Sequence, residues 1–355
     1  MSKGWRLLDY SLNDPKMDWA VNEAIFRSRR VGLTPDTLRL WRGPNTVVLS
    51  THSSYEGDIN HEACRKYNVG IVRATSITGD VFYYDMGSLN FTFAVDTSYF
   101  RHLVKNYQPV LSEYEVINES IAKGLHKFDV NSKADAYGVY IDDKRISEAM
   151  PLWFYDFLLF QGTLHINTNL DIYKEVIRTR HFEKRVALTS LSRELGKDVP
   201  VDEAKKALLQ GIKEKLNVDF VEHGLMDDEQ NLVHKLYRVK YGLKKWNVDA
   251  KEPFLIGMGK TAVEVFVAYP PTSMCRKLID MVKSVTLDLK DKVEVMIWMR
   301  GRGIQQHGPL PEMSDALRSA EKRSIIPAII INGELKFQGS IPSKEDLRKA
   351  ILDTL

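Results

Sequence analysis

Two short stretches of this chain carry residue types that bind anionic groups. The first, VRATSITGDVFYYD from residue 72, contains Arg73 and a lone glycine, Gly79, and ends in Tyr83, Tyr84 and Asp85. The second, IDDKRISEA from residue 141, sets Lys144 beside Arg145. A glycine lets backbone approach a phosphate because no Cβ intervenes. An arginine grips a carboxylate or phosphate through two parallel N–H donors, and a lysine does so as a point charge. Chemistry at a carboxylate or phosphate is therefore the functional expectation. The bland alternatives stand beside it: Arg73 as an ion-paired arginine at a strand end, and Lys144 as a solvated turn lysine. His52, His61 and His102 have no metal-like spacing with carboxylates or cysteines, so no metal site is expected. Cys64 falls on the apolar face of a short helix and reads as a buried filler.

These stretches need elements to hold them. Residues 17–30 have helical spacing, and TLRLW and TVVLS read as strands around the turn RGPN. A short helix, DINHEACRKYN, precedes the strand VGIVRA, the first stretch itself as a loop, and the strand LNFTFAV. The helix YEVINESIAKGLHKF leads to a hairpin, GVYIDDKRISEAM, turning at Asp142–Asp143, and FLLFQGTLHINT reads as a further strand pair. LDIYKEVI, VDEAKKALLQGIKEKL and DDEQNLVHKLYRVKY read as helices, with Asp202 and Asp227 as N-caps. Strands and helices mix irregularly, which predicts an α+β fold. Tyr83, Tyr84, Phe91 and Phe93 either line an apolar tunnel or fill a core. From residue 259 the order becomes βαβαββα, with a hairpin at Asn332–Gly333 and a terminal helix capped by Ser343. The expected division is residues 1–250, a linker at 251–258 and a second domain at 259–355.

Bulk properties exclude several classes. A length of 355 residues suits two domains. A net charge of +3 gives no argument for nucleic acid. No run approaches the roughly 18 apolar residues that span a bilayer, and the start lacks an apolar signal core, so no membrane partner is expected. Two cysteines make no disulfide framework, and a cytoplasmic location is the default.

The ordered set LRLW, DINHEACRKYNVGIVR, DMGSLNFTF, GTLHINTNLD, TSLSRELG and KYGLKKWN resembles lipoate–protein ligases of the A type, relatives of the biotin ligases and octanoyltransferases. The resemblance covers roughly residues 5–250. It implies a biotin/lipoate-ligase-like α+β domain that activates an acyl acid with ATP and passes it to a lysine of a lipoyl-carrier protein. That carrier is a lipoyl domain or a glycine-cleavage H-like protein, and lipoate or octanoate is the implied ligand. The family uses an Arg-Arg-x-x-Gly-Gly-Gly-x-Val-x-His-Asp loop and a lysine in a Gly-x-Lys-x-x-Gly hairpin. Here Arg73 matches one arginine and Ala74 replaces the other. Gly79 alone remains of the three glycines, and Tyr84 replaces the histidine. Asp85, Gly87 and Asn90 remain, as do Gly162 and Thr163 further on. Arg145 stands at the lysine position, Lys144 lies one residue early, and Glu148 replaces the second glycine. STHSS at 50–54 and Tyr137–Gly138 depart from the family as well. These losses make ATP and Mg doubtful.

The second domain resembles the thioredoxin fold, an α/β architecture. Pro327 matches that family's cis-proline. Thr272 and Cys275 match the two cysteines of Cys-x-x-Cys, so the nucleophilic first thiol is missing and disulfide exchange has no attacking group. A redox protein is a possible partner. Two functions stay open: a divergent lipoate or octanoate ligase or transferase, and an inactive ligase-derived module that recognises a lipoylated protein or a redox partner.

Overall fold

The computed structural model describes residues 3–30, 32–76, 78, 80–154, 156–178, 187–251, 260–300, 303–304 and 314–355. The chain divides into two compact units, Met1–Lys251 and Glu252–Leu355. The first unit opens with β1 (Lys3–Asp9), α1 (Pro15–Arg30), β2 (Thr37–Trp41), β3 (Thr46–Leu49) and α2 (His61–Lys66). β4 (Gly70–Arg73), β5 (Val81–Tyr84), β6 (Ser88–Asp96) and α3 (Leu111–Leu125) follow. Next come β7 (Ser132–Asp135), β8 (Gly138–Ile141), β9 (Lys144–Arg145), β10 (Ser147–Phe154) and β11 (Phe157–His165). The unit closes with α4 (Leu170–Val176), α5 (Leu191–Leu195), α6 (Val201–Leu216), β12 (Val218–Glu222), α7 (Asp227–Leu236) and α8 (Lys244–Asn247).

A six-stranded sheet in the order β10-β11-β6-β2-β1-β12 is the frame. Alternation along its strands gives it two different faces. One face carries Leu38, Leu40, Leu89, Phe91, Phe93, Leu158, Phe160 and Leu164, packed in a single core with Ile117 and Ile121 of α3 and Leu208 and Ile212 of α6. Phe91 and Phe93 are thus core residues and not tunnel lining. The other face is polar yet buried, and it holds the site described below. Two three-stranded sheets, β4-β3-β5 and β7-β8-β9, complete the unit.

Four local expectations change. TLRLW and TVVLS do not pair around RGPN. β2 already has β1 on one edge and β6 on the other, so the chain crosses to a different sheet, where β3 is central. The second half of the presumed loop, residues 81–84, is strand β5, antiparallel to β3. FLLFQGTLHINT forms one long strand, because Gly162 marks a close approach and not a turn. A Cβ there would lie 2.1 Å from the Glu148 carbonyl oxygen and 2.9 Å from Phe91 Cζ. Asp202 and Asp227 are not caps: α6 and α7 are entered from Pro200 and Met226, and the two aspartates sit in the first turns, where the helix dipole favours them.

The second unit contains β13 (Thr261–Val267), α9 (Ser273–Val285), β14 (Val293–Met299), β15 (Gly303–Ile304), α10 (Asp315–Lys322), β16 (Ala328–Ile331), β17 (Glu334–Gln338) and α11 (Lys344–Leu352). Its sheet runs β15-β14-β13-β16-β17, with β13 and β14 parallel and β13–β16 and β16–β17 antiparallel. The β16–β17 turn uses Asn332 and Gly333 at positive φ, 47° and 81°. The Ile326–Pro327 peptide is cis.

One buried acid in this unit gives a pH prediction. Glu264, on β13, is fully buried. Its Oε1 accepts the Ser314 N–H at 3.1 Å, and its Oε2 has no partner among the described residues. Burial pushes its carboxyl up to about 7, against the opposing Ser314 hydrogen bonds and the Arg318 charge. The folded state therefore holds this proton more tightly than the unfolded state. Its stabilisation is complete below the ordinary value of 4.5 and is lost as pH rises to about 7. The loss should be about 3 kcal/mol. Urea unfolding of the full chain, with amide exchange on β13 as the readout, should show that slope, and Glu264→Gln should flatten it.

Candidate functional site

The polar face of the large sheet is built from cross-strand rows. β10, β11, β6 and β2 align Glu148, Thr163, Asn90 and Trp41 in one row, and Met150, Gln161, Thr92 and Arg39 in the next. His165 stands opposite Ser88 on the other side of the first row. Paired residues share a face, so these side chains converge. The segment before β5 is tied down over this face: Gln161 Nε2 donates to the Thr75 carbonyl at 3.0 Å, and Ser76 Oγ donates to the Pro151 carbonyl at 2.9 Å.

Buried polar networks hold both ends. Glu148 Oε1 accepts the Tyr173 hydroxyl at 2.9 Å, and Oε2 lies 3.3 Å from His165 Nε2. His165 Nδ1 is 3.2 Å from Thr168 Oγ1, which is 2.8 Å from Ser88 Oγ. At the other end, Lys240 Nζ donates to Thr75 Oγ1 at 2.6 Å and pairs with Glu23 at 3.1 Å. The Tyr241 hydroxyl donates to Glu23 at 2.6 Å, and Arg27 pairs with the same carboxylate. Burial acts to raise the Glu23 carboxyl, but Arg27 and Lys240 outweigh it and hold it well below the usual carboxylate range. Lys240 and Tyr241 come from a π-helical turn, Tyr237–Tyr241, a local winding frequent at functional sites.

The candidates named from sequence fall into distinct places. Arg73 is fully buried and spends its donors on its own fold: Nη1 to the Ser50 and Ser53 carbonyls at 2.5 and 2.8 Å, and Nε to the Trp246 carbonyl at 3.1 Å. Its Nη2 has no partner among the described residues. Tyr84 is buried edge-on to Trp41, with ring centroids 5.3 Å apart. Asp85 Oδ1 accepts the Gly87 N–H at 2.9 Å, and Oδ2 accepts the Asn169 N–H at 2.8 Å, so it staples the 85–88 turn to the start of α4. Gly87 permits that turn, since a Cβ would stand 2.5 Å from the Asn167 carbonyl oxygen. Gly79 lies outside the described residues. Asn90 and Thr163 are in the polar face itself, while Gly162, in register with Phe91, lies on the opposite, apolar face and sets the β10–β11 approach.

Lys144 and Arg145 have separate surroundings. Lys144 Nζ binds both Glu194 carboxylate oxygens, at 2.7 and 2.9 Å. Arg145 lies over Gly138, with its guanidinium 5.8 Å from the Tyr140 ring centroid. Burial works against the Arg145 charge, and Tyr140, Glu148 and Asp80 together outweigh it. Cys64 is buried at a shallow cleft with Tyr55 and His61, and burial pushes its thiol up to about 11, which leaves little thiolate. In the second unit Thr272 caps α9, its Oγ1 accepting the Cys275 N–H at 3.2 Å, while Cys275 is packed in the core with Leu278 and Val282. Pro327 stands immediately before β16. Among the described residues no cluster of three or more His, Cys, Asp or Glu is placed to hold a metal, and no helix is long and apolar enough to cross a membrane.

A family model described as the lipoyl protein ligase A/B catalytic domain matches residues 14–213. The chain belongs to this lipoyl protein ligase family. Among its relatives, lipoate-protein ligase A subunit 1 of Thermoplasma acidophilum is 25% identical over 69% of this chain and 97% of its own length. Octanoyltransferase LipM of Anoxybacillus flavithermus is 23% identical over 68% of this chain and 97% of its own. The fold agrees with solved ligase structures. A bi-partite lipoate protein ligase from T. acidophilum, described with its E2 lipoyl domain, superposes with a TM-score of 0.63 at 22% identity, covering 72% of this chain and all of that one. Lipoate-protein ligase A bound with ATP gives 0.60 at 22% identity, over 70% of this chain and 98% of the other.

Within the lipoyl protein ligase family frame, the sequence named the asparagine and threonine of the polar face and the glycine between their strands and β10, but missed Glu148 as a buried anchor, with His165 and Tyr173, and missed the Glu23–Lys240 pair. A signal for the first was present. Polar residues alternate at 88, 90 and 92 and again at 161, 163 and 165, with apolar residues or glycine between them. For the second, nothing short-range links residues 23 and 240.

Proposed function

We propose that this chain handles a lipoyl or octanoyl group of a lipoyl-carrier domain, and that it holds the group without making an acyl-adenylate. Membership of the family and the names of its relatives support the acyl group and the carrier. The observation that carries the second half is the state of the hairpin. Arg145, at the family's lysine position, lies against Gly138 and beside the Tyr140 ring, with Glu148 and Asp80 near enough to favour its charge, while Lys144 is paired with Glu194. A triphosphate suits these surroundings poorly, because Asp80 and Glu148 would face it as anions. For the second unit, the sheet order and the Thr272-to-Cys275 cap support a thioredoxin-like docking module for a redox partner, without a reactive thiol pair. Cys275 should label slowly with thiol reagents in the native state; labelling as fast as in urea would contradict its place in the core.

The test is calorimetry of the full chain against a lipoyl domain in its apo and lipoylated forms, without nucleotide. Preferential binding of the lipoylated form by about tenfold or more is the expected result. Equal binding of both forms would remove the acyl group from the recognition.

A further inference from the structure

The row Glu148–Thr163–Asn90 has more hydrogen-bonding capacity than it uses. Asn90 is 1% exposed, yet neither its Nδ2 nor its Oδ1 has a partner among the described residues. Thr163, directly opposite on β11 and fully buried, has an unpartnered Oγ1 as well. Buried polar atoms are nearly always paired, so adjacent unpaired ones mark a place built for a ligand.

The donor and acceptor types say which ligand. An asparagine side chain offers one acceptor and a donor group, fixed in one plane. A trans secondary amide, whose carbonyl and N–H point to opposite sides, gives its carbonyl to Nδ2 and its N–H to an acceptor further along the row, Thr163 Oγ1 or Glu148. A carboxylate has acceptors only; it serves Nδ2 and turns a charged oxygen toward the acceptor that the N–H would meet. Glu148 sharpens the difference. It occupies the same row, held by Tyr173 and His165, so an anion bound there meets a like charge and a neutral amide does not. The arginine of this face, Arg39, already has a carboxylate, Asp18. Two open guanidinium donors that would favour an acid, Arg73 Nη2 and Arg145 Nε, belong to β4 and β9 of the small sheets and not to this row.

The geometry points to a neutral N-acyl amide, the linkage between a lipoyl or octanoyl chain and a carrier lysine, as the ligand of this row in preference to the free acid. This rests on the acyl-holding function above and specifies the chemical form that is held. It places the chain after the reaction that attaches the acyl group, not before it.

Calorimetry of the full chain with lipoamide, lipoate, octanamide and octanoate tests it. Each amide should bind about tenfold or more tightly than its acid. Asn90→Leu should erase that preference, and Glu148→Gln should narrow it by strengthening the acids. Should Asn90→Leu fail to fold, the Glu148→Gln comparison decides alone. Acids binding as tightly as amides, or a gap unmoved by Glu148→Gln, would overturn the amide assignment and leave acyl holding intact. Binding of none of the four would overturn both.

Discussion

Replacing Glu23 with glutamine should destabilise the first unit by about 4 kcal/mol. The carboxylate is buried on α1 and is shared by Arg27, Lys240, the Tyr241 hydroxyl and the Thr75 hydroxyl. Removing its charge leaves two buried cations facing a neutral amide, and breaking one side of such a cluster costs more than the cluster contributes net. The pH dependence has a definite sign. The Glu23 carboxyl is held well below its ordinary value of 4.5, so its contribution is fully present above that value. It is lost as pH falls from about 4.5 toward the lowered folded value. Urea unfolding of wild type and Glu23→Gln should therefore differ most near neutral pH and converge on acidification. A constant difference down to about pH 3 would show that the carboxylate is not held low by its cations.

Arg73→Ala should cost a similar amount, about 4 kcal/mol, and should show as lost stability before any lost affinity. Its guanidinium bridges the 50–53 turn and the Trp246 carbonyl, while its backbone N–H donates to Asn247 Oδ1 at 3.0 Å and its carbonyl accepts the Trp246 indole N–H at 2.9 Å. Deleting the side chain leaves three buried carbonyls without their donor, each carrying a desolvation cost. Thermal unfolding with and without lipoamide separates the roles. An Arg73→Ala protein as stable as wild type but unable to bind would put Arg73 on the ligand instead.

The sequence was most legible where a pattern is local. The helices at 15–30 and 201–216, the 138–145 hairpin and the 328–338 hairpin follow from periodicity and turn chemistry within a few residues. It was least legible where a residue answers to a distant partner. Gly162 resembles a turn signal until β10 is seen lying against it, and RGPN resembles a hairpin turn until β2 proves to have both edges occupied. The site divides the same way. Asn90, Thr163 and Gly162 stand out from the family pattern, and so does the exchange of the family lysine for Arg145 with Lys144 one residue early. The use of Arg73 as a clamp needs Trp246 and Asn247, 173 and 174 residues away, and no motif spans that distance.

The central claim is that a lipoyl-ligase fold here holds an acyl group without activating it. Its most direct test is formation of acyl-AMP from ATP with lipoate or octanoate by the full chain, followed by radiolabelled nucleotide. The account predicts none above background for wild type, with Lys144→Ala and Arg145→Ala unchanged from it. Acyl-AMP that forms readily, is abolished by Lys144→Ala and survives Arg145→Ala would mean that the hairpin has shifted register, that Lys144 does the family lysine's work, and that the chain is an active ligase.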